Sequence, residues 1–173
     1  MNKEKGTLEN PYGYGDVANI VAYSTFIKEN KPIYIKMIRE MEPQEIIEKI
    51  REFNKTIEDK SIYKIEEEND EYTRIGVIMQ IDYKDFPTSE NGQTVHALPI
   101  FRVYYDEFDF SYPGKYIVSE NISYSNDHVH QGDVIDYAVL IRYPKGRDDS
   151  NIILNIPRVP GKSDDIQYFK IRW

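Results

Sequence analysis

Residues 72–83 read Tyr72-Thr73-Arg74-Ile75-Gly76-Val77-Ile78-Met79-Gln80-Ile81-Asp82-Tyr83. In an extended chain Ile75, Val77, Met79, Ile81 and Tyr83 share one side, and Arg74, Gly76, Gln80 and Asp82 the other, with Ile78 the exception. Side chains alternate across a strand with a period of two, so this stretch predicts one buried face and one mostly wet face. A strand of a parallel sheet is covered on both faces and reads as a continuous apolar run; alternation points to an antiparallel sheet.

Outward from this strand the pattern repeats in shorter pieces. Upstream, Val17 to Ile27 and Ile33 to Ile38 are rich in β-branched and aromatic residues, and Asn30-Lys31-Pro32 between them predicts the turn of a hairpin. Downstream, strands are expected at Thr94 to Tyr105, Tyr116 to Tyr124, Asp133 to Tyr143, Asn151 to Asn155 and Gln167 to Trp173. Turn chemistry separates them at Asn91-Gly92, Tyr112-Pro113-Gly114, Gln131-Gly132-Asp133, Pro144-Lys145-Gly146 and Val159-Pro160-Gly161. Pro11 to Asp16 reads as a turn entering the first strand, and residues 1–10 as a flexible lead-in. One helix is expected near residues 43–54: Pro43 suits its first position, and Ile46, Ile47, Ile50 and Phe53 recur at helical spacing. Residues 66–71 form an acidic run that reads as a solvated loop. The result is a single mainly β domain over residues 11–173, an antiparallel sandwich with one inserted helix.

The chain has 173 residues, 22 Lys and Arg against 30 Asp and Glu, a net charge of −8, and 15 Tyr against 7 Phe and 1 Trp. Such a charge repels phosphate backbones and anionic membrane surfaces, so neither nucleic acid nor direct membrane insertion is expected. Tyrosine suits sheets with wet edges, since its ring packs while its hydroxyl tolerates water. With no cysteine, disulfides, thiolate catalysis and Cys-based zinc sites are excluded. No signal-peptide core follows Met1, which leaves two expectations: an exported protein whose leader is missing, or a cytoplasmic one.

Particular segments carry a family resemblance. Ile33-Tyr34-Ile35-Lys36-Met37-Ile38-Arg39 runs into Glu45-Ile46-Ile47-Glu48-Lys49-Ile50 and then Glu52-Phe53-Asn54. Glu71-Tyr72 opens the alternating strand, Gly132 opens a later one, and Tyr168-Phe169-Lys170-Ile171 lies near the end. In order and pattern, from about Asn10 to Trp173, these segments resemble the immunoglobulin-like domain of Gram-positive secreted lipoproteins described as telomeric-repeat-binding-factor-2-like. Tyr137 stands where that family often has Trp, and the connection 55–71 is longer than usual. The resemblance implies an immunoglobulin-like β-sandwich with a helix after the second strand, displayed outside the membrane, with no catalytic residues to carry over.

The chemistry-bearing residues fit that picture. His128 and His130 flank Val129 and would share one face of a strand, with Asp127 and Asp133 nearby. Two imidazoles alone fall short of a closed site, so no metal is expected there. His96 stands alone among apolar neighbours and reads as structural. No Gly-x-Ser-x-Gly elbow is present, and Gly13 and Gly15 form only a fragment of a phosphate-binding pattern. The acidic pairs Asp148 and Asp149, and Asp164 and Asp165, lie at turns where solvated carboxylates are ordinary.

The segment that stands out holds Tyr104, Tyr105, Asp106, Glu107, Phe108, Asp109, Phe110 and Tyr112. Aromatics mixed with acids suit a recognition surface for a basic protein or a sugar; the alternative is a strand end whose rings pack inward. The expectation is a non-catalytic binding or cell-envelope module with an unknown protein or envelope ligand, no cofactor and no catalytic residue. Three alternatives stand beside it: an intracellular partner-binding protein of phage or immunity type, a hydrolase with an acidic site, and a metal-binding domain built on His128 and His130.

Overall fold

The computed structural model describes residues 4–42, 44–45, 47–48, 72–94, 102–105, 108–113, 115–119, 128–146, 152–162 and 164–172, with the backbone alone at 72–74, 94, 102–105, 108–113, 115–119 and 138–144. The chain is mainly β, and among the described residues every pair of neighbouring strands is antiparallel. One sheet takes β1 (Val17–Ser24), β2 (Glu29–Met41), β3 (Tyr72–Asp82), β9 (Val134–Pro144) and β7 (Lys115–Ser119), in the order β1-β2-β3-β9-β7. A second takes β5 (Arg102–Tyr105), β6 (Phe108–Pro113), β10 (Ile153–Pro157) and β11 (Ile166–Lys170), in the order β11-β10-β5-β6. A two-stranded pair joins β4 (Gln93–Thr94) to β8 (His128–Val129).

The alternating strand sits at the centre of the larger sheet. Ile75, Val77, Met79 and Ile81 are all buried, while Gln80 and Asp82 are only partly covered. They pack in one cluster with Ala18 and Ile20 of β1, Ile33, Ile35 and Met37 of β2, and Ile135 and Tyr137 of β9. The smaller sheet adds Leu154, Ile156 and Phe169 to the same cluster, so the two sheets share a core. Burial of this apolar face, at about 25 cal/mol per Å², is the main term holding the sheets together.

The structure departs from the sequence reading in four places. The β1–β2 turn is not Asn30-Lys31-Pro32 but residues 25–28, because Ser24 pairs with Glu29 and Val21 with Pro32. Pro32 is tolerated inside β2 for a definite reason. The Val21 N–H points away from β2, to Arg158 O at 2.9 Å, so Val21 and Pro32 form a non-hydrogen-bonded pair. The Pro32 nitrogen therefore faces the side where β3 pairing begins only at Tyr34, and its missing N–H breaks no bond.

The second departure is a β-bulge. Met37 pairs with Met79 and Arg39 with Ile78, leaving Ile38 as the extra residue. A one-residue slip moves every following side chain to the opposite face. Glu40 thereby lies across from Val77 and is turned toward the core side, where Arg172 clamps it in a two-toothed ion pair through Nε (3.1 and 3.2 Å) and Nη2. Met41 goes to the other face across from Gly76, and like the exceptional Ile78 it is buried outside the main core.

Third, the lead-in is not loose where it is described. Gly6 O accepts from Tyr168 N at 2.9 Å, Tyr12 N donates to Tyr168 O at 2.8 Å, and Lys170 N donates to Tyr12 O at 2.8 Å. Tyr12 thus forms a parallel bridge alongside Phe169 at the edge of the smaller sheet. Backbone groups along the edge of β11 draw the polar segment onto the sheet, a demand that composition does not reveal. Fourth, Tyr112 and Pro113, expected to open a turn, instead end strand β6, which runs from Phe108 to Pro113. Of the helix expected at residues 43–54, only Gln44, Glu45, Ile47 and Glu48 are described; their backbone is helical, but no helix is defined among the described residues. Ile46, Ile50 and Phe53 lie outside them.

Candidate functional site

Three connections meet at one end of the larger sheet: the β1–β2 turn, the β3–β4 loop (83–92) and the β8–β9 loop (130–133). The buried Tyr83 and Phe86 root the middle one, ring centroids 5.8 Å apart and edge to face. Tyr83 N donates to Asp133 O (2.8 Å) and Gly132 N to Tyr83 O (3.1 Å), tying this loop to the β8–β9 loop. Gln131 strengthens the tie, its N–H donating to Thr88 Oγ1 (3.0 Å) and its amide to Lys84 O (3.3 Å).

The β1–β2 turn is fastened from behind by two buried polar side chains. Ser24 Oγ donates to Pro87 O at 2.6 Å. Gln93 is 4% exposed; its Oε1 accepts from Thr25 N and its Nε2 donates to Tyr23 O, both at 2.8 Å. A buried amide that meets both a backbone donor and a backbone acceptor acts as a short substitute strand, closing the end of the β1 edge where no described strand pairs with it. Gly92, at φ +72°, fits between Val129 O and the two histidines; a Cβ there would lie 2.8 Å from that carbonyl and 2.9 Å from His130 Nε2. Only glycine gives both the left-handed backbone and the room.

This framework presents an exposed group. Tyr23, near the end of β1, is 48% exposed, and Phe26 is 58% exposed on the turn that follows, whose last residue, Lys28, holds φ at +59° without being glycine. Beside it His128 and His130 are exposed on either side of the buried Val129, as their alternation demands. His130 N donates to Asp133 Oδ2 at 2.7 Å, and its Nδ1 lies 3.6 Å from the same oxygen. Asp133 therefore serves the loop backbone, and no group of three or more metal-ligating side chains is found among the described residues. Asp127 and His96 lie outside them. On the adjoining sheet face Tyr34 Oη donates to Asp85 Oδ2 at 2.6 Å with Lys84 Nζ 4.3 Å above its ring; the bond to Asp85 raises the Tyr34 pKa.

The segment 104–112 lies elsewhere. Tyr104 and Tyr105 belong to β5, and Phe108, Asp109, Phe110 and Tyr112 to β6, which forms the far edge of the smaller sheet. The backbone register sets Tyr104 across from Asp109 and Tyr105 across from Phe108. Asp106 and Glu107 lie outside the described residues. Of the acidic pairs, Asp164 is exposed and Asp165 pairs with Arg158 at 3.2 Å; Asp148 and Asp149 are outside. Gly13 and Gly15 belong to a turn in which Gly13 N donates to Asp16 Oδ2 at 2.7 Å. That bond, with Lys5 at 2.9 Å, lowers the Asp16 pKa.

Sequence reasoning passed over Tyr23 and Phe26 because Val17 to Ile27 scans as uninterrupted strand. The one signal against it was length, since eleven residues from Val17 to Ile27 exceed an ordinary strand. Comparison of the chain with family models, curated proteins and solved structures finds no match.

Proposed function

We propose that the chain is a non-catalytic binding module: an immunoglobulin-like β-sandwich with one inserted helix, displayed outside the membrane, that recognises an envelope or protein ligand through its loop end. The observation that carries this reading is the pairing of an exposed aromatic turn with a buried clamp. Tyr23 and Phe26 stand in water while Ser24 and Gln93 fix the backbone that bears them. A stationary aromatic loses little entropy on binding, which is why rigid Tyr and Phe dominate recognition surfaces. The segment from Tyr104 to Tyr112, with its mixed aromatic and acidic composition, is proposed as a second recognition segment on the other sheet.

The test is co-sedimentation of the purified chain with isolated Gram-positive envelope, comparing wild type with a Tyr23→Ala, Phe26→Ala double variant. The reading expects saturable binding that falls at least tenfold in the variant, or about 1.4 kcal/mol. Absence of binding defeats the envelope ligand, and equal binding by the variant defeats the loop end as its site.

A further inference from the structure

An outer strand carries a row of backbone N–H and C=O groups that no neighbouring strand takes, and folded chains close such rows. β1 and β11 are outer strands of their sheets. On β11 the row is met by Gly6 and Tyr12, which bond the backbone of Tyr168 and Lys170. On β1 the outward groups belong to Val17, Asn19, Val21 and Tyr23, because the hydrogen-bonded pairs with β2 fall at the residues between them. Arg158 O accepts from Val21 N at 2.9 Å, and Gln93 Nε2 donates to Tyr23 O at 2.8 Å. Closure stops there. Among the described residues, nothing takes the N–H or C=O of Val17 or of Asn19.

The bare stretch lacks the devices that keep an edge strand from pairing. It holds no proline and no charged residue, and its register with β2 is unbroken from Val17 to Ser24. Val17 is 55% exposed and Asn19 is exposed as well, so another chain can reach both. Each offers one donor and one acceptor, repeated at the two-residue interval of an extended strand. Four groups spaced in this way are the complement of another extended backbone. Arg158, standing at Val21, fixes where such a strand must stop.

We propose that the edge of β1 at Val17 and Asn19 is a strand-addition site for an extended, basic peptide segment of another protein. In this mode main-chain pairing supplies the affinity and alternate side chains the selection. The residue that comes to lie beside Val17 meets an exposed apolar side chain on the outer face of the sheet. Elsewhere in the segment, the chain's net charge of −8 favours lysine and arginine over acids. A second copy brings that same charge and is the less favoured occupant. The site is distinct from the loop end, from which Arg158 at Val21 divides it along the strand.

The probe is a fluorescent peptide copying residues 33–39. Its first four residues pair with Val17 to Ile20 on the other side of β1, and it carries Lys36 and Arg39 with no acid. It binds the full-length chain saturably in fluorescence anisotropy, and more weakly as salt is added. Asn19→Pro deletes one of the four groups and sets a ring where the partner strand would lie. The lost N–H bonds nothing in the described chain, and Pro32 already sits at an equivalent position of β2. Binding falls about tenfold or more in Asn19→Pro, and likewise for a copy of the peptide methylated at every backbone nitrogen. If the Asn19→Pro chain does not fold, hydrogen exchange of wild type replaces it: the peptide slows exchange at the Val17 and Asn19 amides about tenfold or more. No binding, binding indifferent to Asn19→Pro or to methylation, or unchanged exchange at both amides overturns the proposal. So does loss of binding in the Tyr23→Ala, Phe26→Ala double variant, which would put the peptide at the loop end. A wild-type dimer that Asn19→Pro dissolves also overturns it, since the edge then belongs to a second copy.

Discussion

Replacing Gln93 tests the loop-end clamp directly. Its two 2.8 Å hydrogen bonds to Thr25 N and Tyr23 O join β4 to a turn 68 and 70 positions earlier. Each net hydrogen bond contributes about 0.5–1.5 kcal/mol, so Gln93→Ala loses about 1–3 kcal/mol even if water rehydrates both backbone groups. Ser24, fully buried between them, hinders that rehydration, and a group left dry adds about 1–3 kcal/mol more. We expect a total near 3 kcal/mol. Gln93→Glu separates the two bonds. A carboxylate still accepts from Thr25 N–H but faces the Tyr23 carbonyl with no proton to give. The folded state therefore favours the protonated form of the introduced carboxyl and raises its pKa above the unfolded value of about 4.3. Stability from that proton is present below about pH 4.3 and lost as pH rises through the folded pKa, so the deficit against wild type grows from about pH 4 to pH 7.5. Urea unfolding followed by circular dichroism at both values measures it, and hydrogen exchange at the Thr25 amide reports the turn itself. A Gln93→Ala loss under about 0.5 kcal/mol, or a Gln93→Glu deficit unchanged between the two pH values, would sink the clamp.

Other consequences follow from single residues. Phe169→Ala empties a fully buried site beneath the Tyr12 ring and should lose about 3–5 kcal/mol in the same unfolding assay. Lys28 occupies a left-handed backbone at φ +59°. Lys28→Gly should leave stability unchanged or raise it by up to about 1 kcal/mol, whereas Lys28→Val should lower it by at least about 1 kcal/mol. Tyr14 Oη is buried without a hydrogen-bond partner, and burial, with Glu40 nearby, raises its pKa from 10.0 to about 12. The folded state thus favours the neutral phenol: that stability is whole below pH 10 and lost as pH rises toward 12. Tyr14→Phe should abolish this alkaline loss and match or exceed wild-type stability at neutral pH, as thermal melts at about pH 7 and pH 11 would show.

The central strand and its two faces were legible in the order of residues alone. Ile75, Val77, Met79 and Ile81 point into the core because a two-residue period is a property of the extended backbone, written into the order of side chains. The turns at Gly132, Gly146 and Gly161 were equally legible, since all three take the left-handed backbone that glycine tolerates best. How the strands meet was settled only in three dimensions. The turn at residues 25–28 contains no glycine or asparagine, and Pro32 passes for a breaker until its nitrogen is seen to face a side where β3 has not yet begun to pair. The bulge at Ile38 leaves no mark in the sequence, yet it turns Glu40 toward Arg172, 132 positions away. Gln93 carried no signal in the sequence and the N-terminal residues read as a flexible lead-in, yet each is held by backbone groups at a strand edge. One cause underlies all these cases. Alternation is carried by side chains that differ from residue to residue, but register and edge closure are settled by N–H and C=O groups that nearly every residue carries alike, and those become distinguishable only when folding brings distant segments together.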